Sequence, residues 1–348
     1  MVAPADLSAA SQAANGPGLP VAVDAMGGDH APAVVVEGAR MAWERFGVPV
    51  LLVGRPEEIG DVGGIEVLSA SEVIAMGAEP ASSVRTLKDS SIVRGAEAVR
   101  DGRAKALLGA GNTGAAMAAS LLRMGRIKGV ARPAIAVPFP TFGSTPTTLL
   151  DCGANAQCQP EWLVQFAQLG SVYNRVRYGV QRPRVGVLSI GEEAGKGNDL
   201  IKEVCRLMES DSDWAHRCGA EFVGNVEGGD LMMGVADVIV CDGFTGNVVL
   251  KSIEGAMAVA QRQLRSALTS TAGSRVASEA IDPLVTPVFD TLDASKTGAA
   301  ALLGTRGVCM IAHGSSSAET IANAIRTASE MADEGVVAQM RASFEASP

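Results

Sequence analysis

Short clusters of glycine with aspartate, asparagine or histidine recur along the chain, each after a run of residues typical of a β-strand. Seven such clusters occupy residues 24–30, 109–114, 151–155, 189–199, 224–228, 241–247 and 312–316. Glycine lets a backbone approach a ligand closely, and parallel strands end at one edge of a sheet, where ligands bind. Turns alone also favour Gly, Asn and Asp. Seven clusters in equivalent positions nevertheless predict one cleft that most of them line.

The cluster 109–114 fits the pattern G-x-G-x-x-G between a predicted strand and an alanine-rich stretch. The dinucleotide-binding form of this pattern also needs an acidic residue about 20 positions further on, and none occurs between Gly114 and Asp151. The pattern is therefore incomplete for a nicotinamide cofactor, and no cofactor is predicted. A helix N-terminus with unpaired N–H groups still binds anions, so Asn112, Thr113 and Gly114 are predicted to cradle a phosphate or an oxyanion.

The segment 191–197 resembles a phosphate-binding P-loop but lacks its spacing. Three residues rather than four separate Gly191 from Gly195, and Gly197 stands where a magnesium-binding hydroxyl is needed. ATP is therefore not a predicted substrate. Lys196 is a candidate to balance phosphate charge, and the alternative is an ordinary solvated loop lysine.

Two of the three histidines follow predicted strands. His30 and His313 are candidate proton donors, or else packed and capping residues, whereas His216 lies in a polar helical stretch. No G-x-S-x-G motif marks a nucleophilic serine.

Composition narrows the class of protein. The 348 residues are 47% hydrophobic and 19% charged, which suits a large buried core. A net charge of −9 argues against a nucleic-acid partner. The six cysteines form no C-x-x-C pair, so we expect free thiols in a reducing cytosol and no metal site. We find no run of about 18 apolar residues that would predict a membrane helix.

The elements that position the clusters alternate between strand and helix. Strands are predicted at 21–23, 50–53, 65–68, 106–108, 134–137, 147–150, 185–188, 221–223, 238–240 and 308–311. This alternation predicts an α/β fold with a doubly wound, mainly parallel sheet between two helical layers. Residues 1–18 are predicted to form a mobile tail, and 19–348 a single catalytic domain. The alternative is two lobes, about 19–135 with 297–348 and 136–296, around one cleft.

The clearest helix is predicted after Asn247, which would serve as its N-cap. Its apolar residues recur at three- or four-residue spacing and are Val249, Ile253, Ala256, Ala260 and Leu264. We expect this stripe to face the core. The alternative is a lipid-facing or dimer-facing role for the continuation toward Pro283.

Several motifs in order resemble the bacterial acyl-acyl carrier protein:phosphate acyltransferases of phospholipid synthesis. They occupy residues 21–32, 88–91, 111–115, 125–129, 150–155, 170–173, 224–227, 242–247 and 313–316. The resemblance covers about residues 20 to 335.

The resemblance implies a homodimer with a fold similar to the isopropylmalate dehydrogenase group. It implies transfer of a long-chain acyl group from acyl carrier protein to inorganic phosphate, giving acyl phosphate for a membrane glycerol-3-phosphate acyltransferase. It also implies a cytoplasmic protein in reversible peripheral contact with the inner face of the membrane. A short-chain acyl-CoA phosphotransferase, a nicotinamide-dependent dehydrogenase and a non-catalytic scaffold are the alternatives.

Such a reaction needs a held phosphate, a stabilised oxyanion and a protonated leaving thiolate. The catalytic candidates are His30, Lys196, Asn225, Asn247 and His313. The substrate-binding candidates are Asp24, Gly27, Gly28, Asp29, Lys88, Asn112, Thr113, Gly114, Asp151, Asn155, Asn198, Glu227, Asp242, Thr245, Gly314 and Ser315. Among these, the aspartates are expected to orient donors and loops rather than to act as acids.

Overall fold

A computed structural model of the chain describes residues 18–141, 145–211, 213–269 and 299–345, together with 281 and 286. Nearly all of the predicted tail 1–18 and the helical continuation toward Pro283 lie outside the described residues.

Eleven strands of the described chain form one sheet, in the order β3-β2-β1-β4-β11-β10-β5-β6-β9-β7-β8. The strands are β1 Val21–Asp24, β2 Val50–Gly54, β3 Glu66–Ser69, β4 Ala106–Gly109, β5 Ala134–Phe139, β6 Thr147–Leu150, β7 Arg184–Ser189, β8 Glu221–Glu227, β9 Val238–Val240, β10 Ala300–Leu303 and β11 Val308–Ile311. Helices cover both faces, so the predicted layered α/β fold is confirmed.

The sheet consists of two parallel halves that run in opposite directions. The strands β1, β2, β3, β4 and β11 are parallel to one another, and β5 shares their direction because β10 is antiparallel to both β11 and β5. β5 is antiparallel to β6, and β6, β9, β7 and β8 are parallel to one another. We call edge 1 the side of the sheet where β1, β4, β5 and β11 end, and edge 2 the side where β6, β7, β8 and β9 end.

This reversal overturns the expectation that the clusters share one edge of the sheet. Those at 24–30, 109–114 and 312–316 lie at edge 1, whereas those at 151–155, 189–199 and 241–247 lie at edge 2. Sequence periodicity reports that a segment is a strand, but not the direction in which it enters the sheet. The reversal occurs between β5 and β6, close to residue 135, where the two-lobe alternative places its boundary. The division into lobes stays a prediction.

Successive side chains of each strand point to opposite faces of the sheet and pack into two cores, one on each face. Val21 and Val23 pack on one face, whereas Ala22 packs on the other. The helices are α1 Ala33–Phe46, α2 Pro56–Ile59, α3 Pro80–Thr86, α4 Ser91–Arg100, α5 Thr113–Ala119, α6 Pro160–Tyr178, α7 Asp199–Ser210, α8 Asp213–Cys218, α9 Gly243–Thr269, α10 Ala318–Asp333 and α11 Val336–Glu345. The first core includes α1, α6, α7, α10 and α11. The second includes α4, α5 and the first half of α9.

β10 and the start of α9 differ from the sequence prediction. β10 was not predicted, because its sequence, Ala-Ala-Leu-Leu, favours helix over strand. α9 begins four residues before Asn247, so Asn247 is not its N-cap. The Asp242 carboxylate instead accepts hydrogen bonds from the backbone N–H and hydroxyl of Thr245, at 2.9 and 2.7 Å.

The predicted core stripe of α9 is buried only in part. Val249 and Ile253 pack against the second core, whereas Ala256, Ala260 and Leu264 are exposed in the single chain. Within the described ranges, no helix is both long and apolar enough to cross a membrane.

Candidate active site

Three loops meet backbone to backbone at edge 1. A Cβ atom on Gly27 would lie 2.8 Å from the backbone nitrogen of Gly111. Gly28 adopts φ +115°, a conformation that favours glycine, and its Cβ would lie 3.1 Å from the carbonyl oxygen of Gly314. The N–H of Asp29 donates to that same carbonyl at 2.8 Å. The loops after β1, β4 and β11 therefore form a cradle made largely of main chain.

Asp24, the last residue of β1, holds the start of the first of these loops. Its side chain is buried and accepts a hydrogen bond from the N–H of Met26 at 3.1 Å. Burial raises the pKa of the Asp24 carboxyl, and hydrogen bonds from the Ser91 side chain and from the backbone of Met26 and Gly27 oppose that rise. Through these contacts Asp24 holds the start of the loop after β1, and its orienting role in the reaction stays a prediction. Ser91 itself was not singled out, although it closes the motif at 88–91.

The Asn112 side chain joins α5 to a neighbouring loop. Its oxygen accepts the N–H of Ala115 at 3.0 Å, which makes Asn112 the N-cap of α5. Its Nδ2 donates to the carbonyl oxygens of Ala75, Met76 and Ala78 at 3.3, 2.9 and 3.0 Å. The side chain is therefore occupied, and any anion contact at this position falls to backbone N–H groups.

The start of α5 is tightly packed on one side. A Cβ on Gly114 would clash with the ring of Pro80, the first residue of α3. Gly114 therefore allows α3 to approach α5, whereas Thr113 is exposed. Sequence reasoning did not find the contribution of the loop at 75–80, because that loop carries none of the motif residues.

His313 directly precedes Gly314 in the loop after β11, the third of the loops that form the cradle. Its Nδ1 is 2.8 Å from the hydroxyl of Ser315, which fixes the ring, and the side chain is exposed. His30 and Lys88 are also exposed, and both lie in loops at this edge.

Asp151 organises the corresponding loop at edge 2. This fully buried carboxylate accepts N–H groups of Ile135, Gly153, Ala154 and Asn155 at 2.7 to 3.2 Å. The Asn155 side chain donates to the same carboxylate at 2.9 Å. Burial raises the pKa of Asp151, against the opposing effect of these hydrogen bonds. Its position suits an anchor for the loop.

α9 starts on top of this anchored loop. The N–H of Gly243 donates to the carbonyl of Asn155 at 2.8 Å, and Gly246 leaves no room for a side chain above Asp151. Asn247 is exposed and lies beside Gly153, whose Cβ would be 3.6 Å from its side chain.

The loop after β7 also lies at edge 2, and residues 192–196 within it are exposed. Lys196 is exposed and folds over Gly191, whose Cβ would lie 3.0 Å from Lys196 Cγ. Asn198 caps α7 by accepting the N–H of Ile201 at 3.0 Å. The Asn225 amide is already engaged, because it donates to the carbonyl of Glu193 at 3.0 Å and accepts the thiol of Cys205 at 3.3 Å.

β8 is longer than predicted. It continues to Glu227, so Asn225 and Glu227 belong to the strand rather than to a loop that follows it. Glu227 then caps a short 3-10 helix, Gly228–Met232, in a reciprocal arrangement with Asp230.

The structure therefore brings the candidates together in separate groups. Edge 1 holds Asp24, Gly27, Gly28, Asp29, His30, Lys88, Asn112, Thr113, Gly114, His313, Gly314 and Ser315. Edge 2 holds Asp151, Asn155, Lys196, Asn198, Asn225, Glu227, Asp242, Thr245 and Asn247. Among the described residues, no group of three His, Cys, Asp or Glu is arranged to hold a metal ion.

The fold defines a class of protein. A phosphotransacetylase from Streptococcus pyogenes superposes with a TM-score of 0.63 at 14% identity, over 93% of this chain and 97% of its own. A phosphotransacetylase from Staphylococcus aureus superposes with a TM-score of 0.59 at 15% identity, over 93% of this chain and 98% of its own. A putative 4-hydroxythreonine-4-phosphate dehydrogenase from Salmonella typhimurium superposes with a TM-score of 0.51 at 13% identity, over 90% of this chain and 99% of its own. The chain thus has the fold shared by phosphotransacetylases and this group of dehydrogenases.

Sequence comparison identifies the family within that class. The family model described as "Fatty acid synthesis protein" matches residues 19–339. A protein named phosphate acyltransferase from Desulfitobacterium hafniense is 44% identical over 92% of this chain and 96% of its own length. Another of that name from a Nostoc species is 42% identical over 93% and 96%. The chain belongs to this family, and the resemblance seen in the motifs is confirmed.

Proposed function

We propose that this chain transfers a long-chain fatty acyl group from acyl carrier protein to inorganic phosphate and releases acyl phosphate. The observation that carries the proposal is the main-chain cradle formed by Gly27, Gly28 and Gly111 at edge 1, within a chain of the phosphate acyltransferase family. Backbone N–H groups and a helix N-terminus suit a tetrahedral anion. A membrane glycerol-3-phosphate acyltransferase would consume the product.

The proposed reaction is a single acyl transfer. A phosphate oxygen attacks the thioester carbonyl carbon, the new C–O bond forms, the C–S bond breaks, and the pantetheine thiolate leaves and takes up a proton. Phosphate is already anionic at neutral pH, so positioning and charge balance matter more than a strong base. Backbone N–H groups of Thr113 and Gly114 hold the phosphate in this scheme. His313, oriented by Ser315, gives the proton to sulfur, and His30 is the second candidate.

The groups at edge 2 enter this scheme through a second copy of the chain. Lys196 lies at the opposite side of the sheet from His313, so one chain does not present both to the same phosphate. In a two-fold homodimer, a residue of one chain contacts a different residue of its partner, and the reverse contact is also made. In the proposed dimer, Lys196 and Asn247 reach the partner's cradle through such reciprocal contacts. Asn225 is a weaker candidate for carbonyl polarisation than Asn247, because its amide is already hydrogen-bonded.

Peripheral membrane contact is a further part of the proposal. The large apolar side chains of α9 that are exposed in the single chain include Phe244, Val248, Val259 and Leu264. Such a surface suits a lipid interface or a partner protein. Co-sedimentation with vesicles of anionic phospholipid, compared with Phe244→Ser and Val248→Ser variants, tests it. Loss of binding in the variants is expected, and equal binding of all three proteins contradicts membrane contact through α9.

The deciding experiment measures release of free carrier-protein thiol from palmitoyl-acyl carrier protein by the purified protein. We expect release that requires phosphate, is not supported by sulfate, and yields a product that reacts with hydroxylamine. Thiol release at the same rate without phosphate would indicate a thioesterase and refute the proposal.

A short-chain acyl-CoA phosphotransferase is the second candidate, favoured by the similarity in fold to phosphotransacetylases. Acetyl-CoA is therefore assayed beside palmitoyl-acyl carrier protein. Turnover of acetyl-CoA without turnover of the long-chain substrate would establish this alternative.

A further inference from the structure

An open groove runs beside α9 on the second-core face of the sheet. β9 ends at edge 2, and α9 follows it. The helix runs back across this face toward edge 1, antiparallel to β9. Beyond the first turns of the helix, Leu250, Ile253 and Met257 face Pro138 and Phe139 at the end of β5. The groove between them has a volume of about 200 Å³.

The lining of the groove is apolar. Of its described residues, only Glu254 is ionisable, and its carboxylate is paired with Lys251 at 2.8 Å. Gln261 is the other polar side chain, and it lies at the end toward the C-terminus of α9. A groove with so little uncompensated charge favours a hydrocarbon ligand over a phosphate, a nucleotide or an acidic peptide.

The dimensions suit an extended chain. An α-helix rises about 1.5 Å per residue, so the stretch from Leu250 to Gln261 spans about 16 Å. One wall of the groove is the helix, and the other is the end of β5 with its following prolyl residue, Pro140.

The groove opens at the same edge as the cradle. β4 and β5 both end at edge 1, with β11 and β10 between them. Neighbouring strands are spaced by about 4.8 Å, so the ends of β4 and β5 are separated by about 14 Å. A long acyl chain whose carbonyl lies at the start of α5 extends far enough to enter the groove, whereas an acetyl group does not.

We propose that this groove holds the distal part of the acyl chain during transfer, and that Met257 and Ala258 limit the chain length that it accepts. The inference rests on the proposed acyl-transfer function and adds the residues that select the substrate. Each methylene group withdrawn from water strengthens binding by about fourfold. Occupation of the groove therefore favours long acyl groups over short ones.

Ala258 provides a direct test, because it is exposed and lines the groove. A phenylalanine there fills the groove without disturbing a packed core. We expect Ala258→Phe to lower kcat/KM for palmitoyl-acyl carrier protein by about tenfold or more, and for the octanoyl substrate by less than about twofold. Ala256→Phe is the matched control, since Ala256 is exposed on the same helix and does not line the groove. Size-exclusion chromatography of both variants reports any change of assembly separately.

A binding measurement separates the groove from the reaction. The fluorescence of cis-parinaric acid, an eighteen-carbon fatty acid, reports occupation of an apolar site without turnover. We expect wild-type and Ala256→Phe proteins to bind it equally and Ala258→Phe to bind it at least about fivefold more weakly. An unchanged ratio of palmitoyl to octanoyl turnover, or equal binding by all three proteins, would overturn the inference. Binding that depends on Ala258 without phosphate-dependent turnover would sustain the groove and refute the proposed function.

Discussion

A Cβ atom on Gly27 would lie 2.8 Å from the backbone nitrogen of Gly111, so the loops after β1 and β4 touch through their main chains. The first of these loops is held from below by buried Asp24 and the second by the cap and loop contacts of Asn112. The candidate site is therefore shaped by backbone geometry, and its behaviour on substitution follows from that.

Substitution of Gly27 by alanine is expected to force the two loops apart. The added methyl group meets backbone atoms, which do not rotate away, so we expect a loss of about 1–3 kcal/mol of stability, typical of overpacking. Phosphate-dependent turnover should fall by at least about tenfold, because a displacement of about 1 Å at a positioning site has large effects. Urea unfolding and steady-state kinetics measure both. In the control Gly77→Ala the methyl group meets open space; stability that falls equally in the two variants would contradict the account.

Removal of the Asn112 side chain should unfasten α5 from the loop at 75–78. Loss of a helix N-cap lowers stability by about 1 kcal/mol, and Asn112→Ala also loses its donations to three carbonyl groups, so we expect about 2 kcal/mol in total. Ser317→Ala is the comparison, because Ser317 caps α10 through the N–H of Thr320 without a second loop to hold. Chemical unfolding of both proteins gives the difference, and equal losses would show that the loop contacts contribute nothing.

Activity from two inactive variants is expected if Lys196 serves the partner's cradle. His313→Ala and Lys196→Ala are each expected to be inactive as homodimers, yet a mixed dimer retains one site with both side chains intact. Random reassociation of equal amounts then restores about a quarter of wild-type turnover. The mixture is compared with each variant alone at the same concentration. Failure to regain activity, with mixed dimers demonstrated by differential tagging, would show that Lys196 does not serve the partner's cradle.

Asp24 should make the folded protein less stable as the pH rises. Burial raises its pKa above the ordinary value of 3.8, so the folded state favours the protonated form. The stability that this provides is fully present below 3.8 and is lost as the pH rises through the raised pKa. The surrounding groups are the Ser91 side chain and the backbone N–H groups of Met26 and Gly27, all uncharged.

Asp24→Asn isolates this contribution, because it removes the titration and keeps the shape. We expect the difference in unfolding free energy between wild type and variant to change in favour of the variant as the pH rises above 3.8. Urea titrations at several pH values measure this difference. A pH-independent difference would mean that Asp24 titrates equally in the folded and unfolded states.

Local structure and family were readable from the sequence. The β-branched and aliphatic runs predicted β1, β6 and β9 closely, because a strand buried on both faces needs such residues along its length. The motifs at 21–32 and 242–247 carried the family resemblance, which the comparisons confirm. β10 was not predicted, because its strand conformation depends on pairing with β5 and β11. Nothing in the sequence Ala-Ala-Leu-Leu favours a strand locally.

The tertiary structure alone decided which motifs are neighbours. Sequence placed Lys196 and His313 after strands in the same way, and only the antiparallel pairing of β5 with β6 puts them at opposite edges. It also decided that the amides of Asn112 and Asn225 are committed to hydrogen bonds, and that α9 lies beside β5 to form a groove. A sequence pattern reports burial and local conformation along one segment. Strand direction and side-chain partners depend on contacts between segments far apart in the chain, and these form only when the sheet is assembled.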